Sequence, residues 1–248
     1  MQQDDINSRI LYFDKDFCVV TKFAGENSET DIPKIFHSEI LERCGKLGIK
    51  KNEIKIACPH RLDMCVSGVQ IICFTKESFS FFSSQFASDK IQKTYFAIVE
   101  GVFSTSENCA TLENFIIFNP KTKKAKIVDS SDVGKNKAKK AILSYKIFGS
   151  GKNYSYLEVF PQTGRTHQIR CQLAYNKMHI KGDVKYGSRR SDSIPGIRLH
   201  SYAIEFFPPC DSTKKIKICS PIPVVDSLWQ DFLKTCDAKI EGEKKGKK

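Results

Sequence analysis

The chain has ten cysteines among 248 residues, yet no two stand at C-x-x-C spacing and none is at zinc spacing with a histidine. Those gaps exclude the usual structural zinc site and the C-x-x-C redox site. The cysteines read as reduced, mostly buried thiols of an intracellular protein, with Cys18, Cys73 and Cys219 in apolar, strand-like runs. No apolar run approaches the ~20 residues of a membrane helix. The N-terminus, Met1-Gln2-Gln3-Asp4-Asp5, lacks the basic and apolar regions of a secretory signal, and its two acids argue against a transit peptide. Also missing are a phosphate-binding loop, a dinucleotide-binding glycine fingerprint, G-x-S-x-G and H-E-x-x-H. There is no internal repeat and no long Pro- or Gly-rich linker.

Charge of one sign is what the chain has in excess. Its formal net charge is +12, which favours a polyanionic partner, nucleic acid first. Between Lys121 and Lys140 eight lysines stand against two aspartates, and five more lysines follow from Lys239 onward. One domain over residues 1–236 is expected, with a Lys-rich tail over 237–248 that is disordered.

Periodicity gives the elements. Arg9 to Asp14 and Phe17 to Lys22 read as strands around a turn, and Ile35 to Leu47 as a helical patch. Val69 to Phe74 is short and β-branched, a buried strand. Lys76 to Ala87 is an amphipathic helix whose Phe79, Phe82 and Phe86 stripe reads as core. Gln92 to Glu100 alternates, with Lys93, Tyr95, Ala97 and Val99 on one face. Further strands are expected at 111–118, 125–129, 138–148, 155–161, 199–207 and 215–219, and helices at 166–175 and 225–235. Strands dominate without regular βαβ alternation. The fold class is therefore α+β, with a largely antiparallel or mixed sheet.

Two strings carry the chemistry. His60-Arg61-Leu62-Asp63, followed by Ser67-Gly68, places a carboxylate beside cationic and donor groups at the entrance to a buried strand. Thr163-Gly164-Arg165-Thr166-His167-Gln168-Ile169-Arg170 reads as the end of a strand opening into a helix. A helix start with Gly164 and Arg165 is a phosphate seat. Arg170 is expected to be part-buried and to need a carboxylate, for which Asp63 is the candidate. Tyr95 has a ring suited to stacking on an unpaired base.

These strings, together with Lys93-x-Tyr95-x-Ala97-x-Val99-x-Gly101, Gly182-Asp183, Tyr186-Gly187 and Leu199-His200-Ser201, resemble the RluA-type pseudouridine synthases. The likeness runs from about Ile10 to about Pro223. It implies a single α+β catalytic domain with a long mixed, mainly antiparallel sheet, flanking helices and a central RNA cleft. It also implies isomerisation of uridine to pseudouridine in rRNA or tRNA, without cofactor or metal. By matching position, Asp63 is the catalytic aspartate, Tyr95 the tyrosine against the target base, and Arg170 the arginine paired with the aspartate. Arg61 fills the space left by the flipped nucleotide. His60, Lys93, Arg165 and His167 complete the RNA-binding set. Lys22-Phe23-Ala24-Gly25 departs from the family's Lys-Pro-Ala/Ser-Gly, and Val66 replaces a threonine. No room is left for an N-terminal S4 module. The expected protein is a cytoplasmic monomer with no membrane contact, acting on an RNA stem-loop. The alternatives are a non-catalytic RNA-binding protein on the same fold and a nucleoside or glycoside hydrolase using Asp63. The second lacks a partner carboxylate to activate water.

Overall fold

The computed structural model describes residues 5–103, 109–129, 138–211 and 213–245. Its class is α+β, with ten strands and five α-helices among the described residues. The chain divides into two compact units. One is drawn from the chain up to Lys93 and from Ser201–Pro223; the other is Thr94–His200 with the chain from Val224 onward.

In the first unit β1 (Ile10–Phe13) and β2 (Phe17–Lys22) form a hairpin, closed where Asp14 N–H donates to Phe17 O at 2.9 Å. β3 (Ser67–Cys73) lies antiparallel to β2, Phe17 opposite Cys73 and Lys22 opposite Gly68. β9 (Leu199–Phe206) neighbours β3, and β10 (Ile216–Cys219) pairs with β9. Every residue of β2 is buried, because helices cover both faces of the sheet. Phe17, Val19, Val69 and Ile71 pack with Phe82 of α3 (Lys76–Ala87) and with Phe206. Cys18, Val20 and Ile72 pack against Ile32 of α1 (Ile32–Ile35) and Ile40 and Cys44 of α2 (His37–Lys46). The helical patch expected at 35–47 is α2, with the short α1 running just before it.

α3 begins on a reciprocal capping box between Thr75 and Ser78. Of its phenylalanine stripe only Phe82 is fully buried. Phe86 is half-buried and Phe79 is 38% exposed, since the buried face is centred on Ser78 and Phe82 and Phe79 rides on its edge.

In the second unit the order is β4 (Gln92–Glu100), β8 (Tyr154–Pro161), β7 (Lys139–Ser150), β5 (Cys109–Asn119), β6 (Lys124–Val128). Its pairings are antiparallel. α4 (Gln168–Tyr175) packs Cys171 against Ile116, Ala125 and Ala141. α5 (Ser227–Lys245) sets Phe232 against Phe96, Phe148 and Tyr156. It continues past the expected end at Thr235 into part of the stretch read as a disordered tail. That stretch has no proline and is rich in lysine and glutamate, good helix formers.

The ten cysteines are free thiols, but fewer are buried than expected: Cys18, Cys44, Cys73 and Cys171 are, whereas Cys219 is exposed. Cys219 lies on short β10, where alternate side chains face outward. No helix among the described residues is long and apolar enough to cross a membrane.

Candidate active site

The segment before β3 is tied down at several points. Ala57 and Cys73 exchange backbone hydrogen bonds of 3.0 and 2.8 Å. His60 comes next, and its ring serves the fold: Nε2 accepts from Ile71 N–H at 2.9 Å, and the imidazole stacks on Phe86 at 4.4 Å. Burial pulls its pKa down to about 3, helped by the charge of Lys93, so the ring is neutral. The ring expected to contact RNA thus also has a place in the scaffold. Arg61 is exposed. Leu62 is buried, its N–H donating to the buried Ser28 Oγ at 3.0 Å.

Asp63 is half-buried and opens a tight turn in which Val66 N–H donates to Asp63 O at 2.9 Å. Met64, at its tip, is 61% exposed. A segment with this many backbone anchors holds its side chains on a fixed base. After the turn, Gly68 has φ +122°, and a Cβ there would fall within 2.6 Å of Ser201 N and closer to its carbonyl oxygen. Glycine is needed at that point for the conformation and for the approach of β9. That is the physical content of the Ser67-Gly68 signal.

In the second unit Tyr95 is half-buried on β4, opposite Val159. The string from Thr163 to Arg170 departs from the expected helix start. α4 begins at Gln168, and His167 before it is left-handed, with φ 56°. Residues 163–167 form a loop pinned by the buried Gln168 side chain. Its Oε1 accepts from Thr163 Oγ1 at 2.7 Å and Arg165 N–H at 3.0 Å, while its Nε2 donates to Ile142 O at 3.0 Å. Arg165 thus lies in this loop and not on a helix end, its Nε donating to Lys140 O at 2.9 Å. His167 Nδ1 is 2.9 Å from Tyr186 Oη, and its ring meets Phe118 edge-on at 5.5 Å.

Arg170 is buried, more deeply than the part-burial expected of it, and meets a carboxylate not expected as its partner. Asp183 receives its Nε at 2.7 Å and its second amino group at 2.8 Å, a bidentate pair with side chains 6% and 2% exposed. Its guanidinium also lies 4.9 Å from the Tyr186 ring centre. Burial holds the Tyr186 phenol well above its ordinary pKa; it accepts from Ala125 N–H at 2.7 Å. The only prior sign of this partnership was Gly182-Asp183 among the resembling motifs. Of the lysines between Lys121 and Lys140, Lys135 and Lys137 lie outside the described residues.

The chain is similar to known proteins along most of its length. The family model for RNA pseudouridylate synthase matches residues 16–175. Ribosomal large subunit pseudouridine synthase D of Borreliella burgdorferi is 33% identical over 225 residues, covering 87% of this chain and 66% of that protein. The chain thus spans just under two thirds of that relative's length. A tRNA pseudouridine synthase C of Vibrio parahaemolyticus is 28% identical over 191 residues, 70% of this chain and 73% of the relative. Human RNA pseudouridylate synthase domain containing 4 shares the fold, with TM-score 0.69 and 20% identity over 93% of each chain. The chain belongs to the RluA-type RNA pseudouridylate synthase family, enzymes that isomerise uridine in RNA to pseudouridine.

Proposed function

We propose that uridine isomerisation runs here through Asp63, with Tyr95 against the target base and Arg170 supporting the site, on an rRNA or tRNA stem-loop. The observation that carries this reading is the anchoring of the Asp63 turn in a chain of this family. The reaction breaks the N1–C1′ glycosidic bond, turns the base and joins C5 to C1′. The C5 proton is lost and N1 gains one. A carboxylate serves it by covalent attack, or by stabilising positive charge at the sugar while a C2′ proton is shuttled. Either route needs one ionised carboxylate in a fixed direction. The target base must first leave its stack, at a cost of a few kcal/mol, and exposed Arg61 near Asp63 suits the space it vacates.

Tyr95 separates two roles. Tyr95→Phe keeps the stacking face and removes the hydroxyl. With a proton-transfer role, turnover in a tritium-release assay on 5-tritiated uridine RNA falls by ~10²-fold or more. A fully active Phe variant limits the ring to stacking.

The grip on RNA is expected to be electrostatic. If about five phosphates of loop RNA are neutralised, log K falls against log salt with a slope near −3.5. Arg165 is the first choice for one contact, because its bond to Lys140 O fixes the direction of its guanidinium. Arg165→Ala should flatten the slope by about 0.7. A salt response that is flat in the unaltered protein rules out this mode of binding.

A further inference from the structure

β5 and β6 form a hairpin whose turn is held from within and from outside. Asn119 Oδ1 accepts from Lys121 N–H at 2.9 Å and from Thr122 N–H at 3.3 Å. Lys123 is left-handed, with φ 48°, and its carbonyl accepts from the Lys185 ammonium at 3.1 Å. Phe118 stands one residue before the end of β5. Alternation puts it on the same face as buried Ile116, and its partner on β6, Ala125, is buried too. Phe118 itself is 37% exposed. Its ring is set edge-on to His167, and His167 is braced by the Tyr186 hydroxyl, 2.9 Å from Nδ1. Ala125 N–H holds that hydroxyl in turn. A ring fixed in advance loses little freedom when a ligand stacks on it.

The charges around Phe118 indicate which ligand. Lys139, opposite Ile116, shares its face. The Lys124 ammonium lies 5.2 Å from the Tyr186 ring centre, and Arg165 stands in the loop before His167. Two carboxylates of this unit are already engaged. Glu113, on the opposite face, holds Lys140, and Asp183 is buried against Arg170. An aromatic ring among cations suits single-stranded nucleic acid, whose bases stack while its phosphates meet the charges.

The register relates Phe118 to Tyr95. Tyr95 pairs with Val159, Val159 with Tyr145 and Tyr145 with Ala110, so these side chains share a face. Phe118 lies an even step along β5 from Ala110 and shares that face as well. Three strand spacings, about 14 Å, separate β4 from β5. One base cannot lie against both rings.

We propose that Phe118 is a second base-stacking residue, which holds an unpaired nucleotide of the RNA other than the target uridine, while Lys124, Lys139 and Lys185 meet the phosphates beside it. This rests on the RNA-binding reading given above. The two rings then act as a ruler: an RNA fits when its unpaired nucleotide stands at the right separation from the uridine.

The test measures Kd for the unaltered protein, Phe118→Ala, Phe118→Leu and Phe118→Trp on a uridine-containing stem-loop with single-stranded flanks, at several salt concentrations. The same proteins are titrated against a set of that RNA with one abasic nucleotide at each unpaired position. Phe118→Ala is expected to weaken binding by about 5- to 150-fold, the range for loss of one stacked base. The slope of log K against log salt should not change, since no charge is removed. Leucine fills space without an aromatic face and should bind as weakly as alanine, whereas tryptophan should bind at least as well as phenylalanine. At one abasic position the unaltered protein should lose as much affinity as Phe118→Ala does, and Phe118→Ala should lose nothing further there. A Phe118→Ala or Phe118→Leu protein within about twofold of the unaltered one overturns the proposal. So do abasic losses that add to the loss from Phe118→Ala at every position. Should Phe118→Ala fail to fold, the contrast of leucine with tryptophan and the abasic set on Phe118→Leu decide. A flat salt response of the unaltered protein removes the underlying RNA-binding reading instead, whatever Phe118 does.

Discussion

Asp63→Asn is expected to lower pseudouridine formation by about 10³-fold or more, the order seen when a reacting group is removed. The substitution keeps size and shape and removes the charge. The turn around it is held through backbone groups at Asp63, Met64 and Val66, none of which the substitution touches. Melting temperature should therefore stay close to that of the unaltered protein. RNA affinity should stay within a few fold, since phosphate contacts dominate it. Retention of even a few per cent of turnover in a clean preparation would sink the assignment. An inactive variant that no longer binds RNA would point to a binding role for this carboxylate.

Arg170→Ala should be costly in two currencies at once. Removing one member of a buried bidentate pair leaves Asp183, 2% exposed, as an uncompensated buried charge, at a cost of ~3–5 kcal/mol. For a chain of this size that lowers the melting temperature by roughly 10 °C. The contact with Tyr186 goes with it, and that ring packs with Cys171 of α4 and Ala125 of β6. Turnover should be lost as well. Arg170→Ala combined with Asp183→Ala separates the causes. If the penalty is the stranded carboxylate, the double variant melts above Arg170→Ala alone while remaining inactive. Equal melting of the single and double variants would place the stabilisation in the packing of the guanidinium and not in the ion pair.

Much of the fold was legible because side-chain period and strand pairing agree. α3 and β4 begin and end where the pattern does, and β2 reads without error as a strand. β5 and β7 run longer than expected, since Cys109 and Ala110 of β5 and Gly149 and Ser150 of β7 pair in the ladder without an alternating apolar signal. The misplaced start of α4 has a specific cause. Gln168 has no strong positional signature, yet its side chain ties down the loop from Thr163 to Arg165, and His167 takes a backbone conformation that only glycine advertises. The candidate site divides in the same way. Asp63, Arg170 and Gly68 stand out by residue type. The hold of the buried Lys22 ammonium on the Asp63 turn does not, because its acceptors are main-chain carbonyls, which every residue has. Asp183 was visible as a motif, but which arginine it meets depends on a fold that returns the chain after a loop.

The close approach of β9 to Gly68 has a consequence for the order in which the molecule is made. The first unit is discontinuous: β1, β2 and β3 are synthesised early, but the strand that neighbours β3 belongs to Ser201–Pro223. All of Thr94–His200 must leave the ribosome before that strand exists. Until then β3, covered at its far end by Ala57 and His60, presents an open edge at its start, beside Gly68. The early hairpin is local and can form fast, while completion of the sheet waits on a distant segment. The nascent chain therefore passes through a stage in which the residues around Asp63 are already synthesised but the edge beside them is open, and that stage is where the protein is most exposed to aggregation.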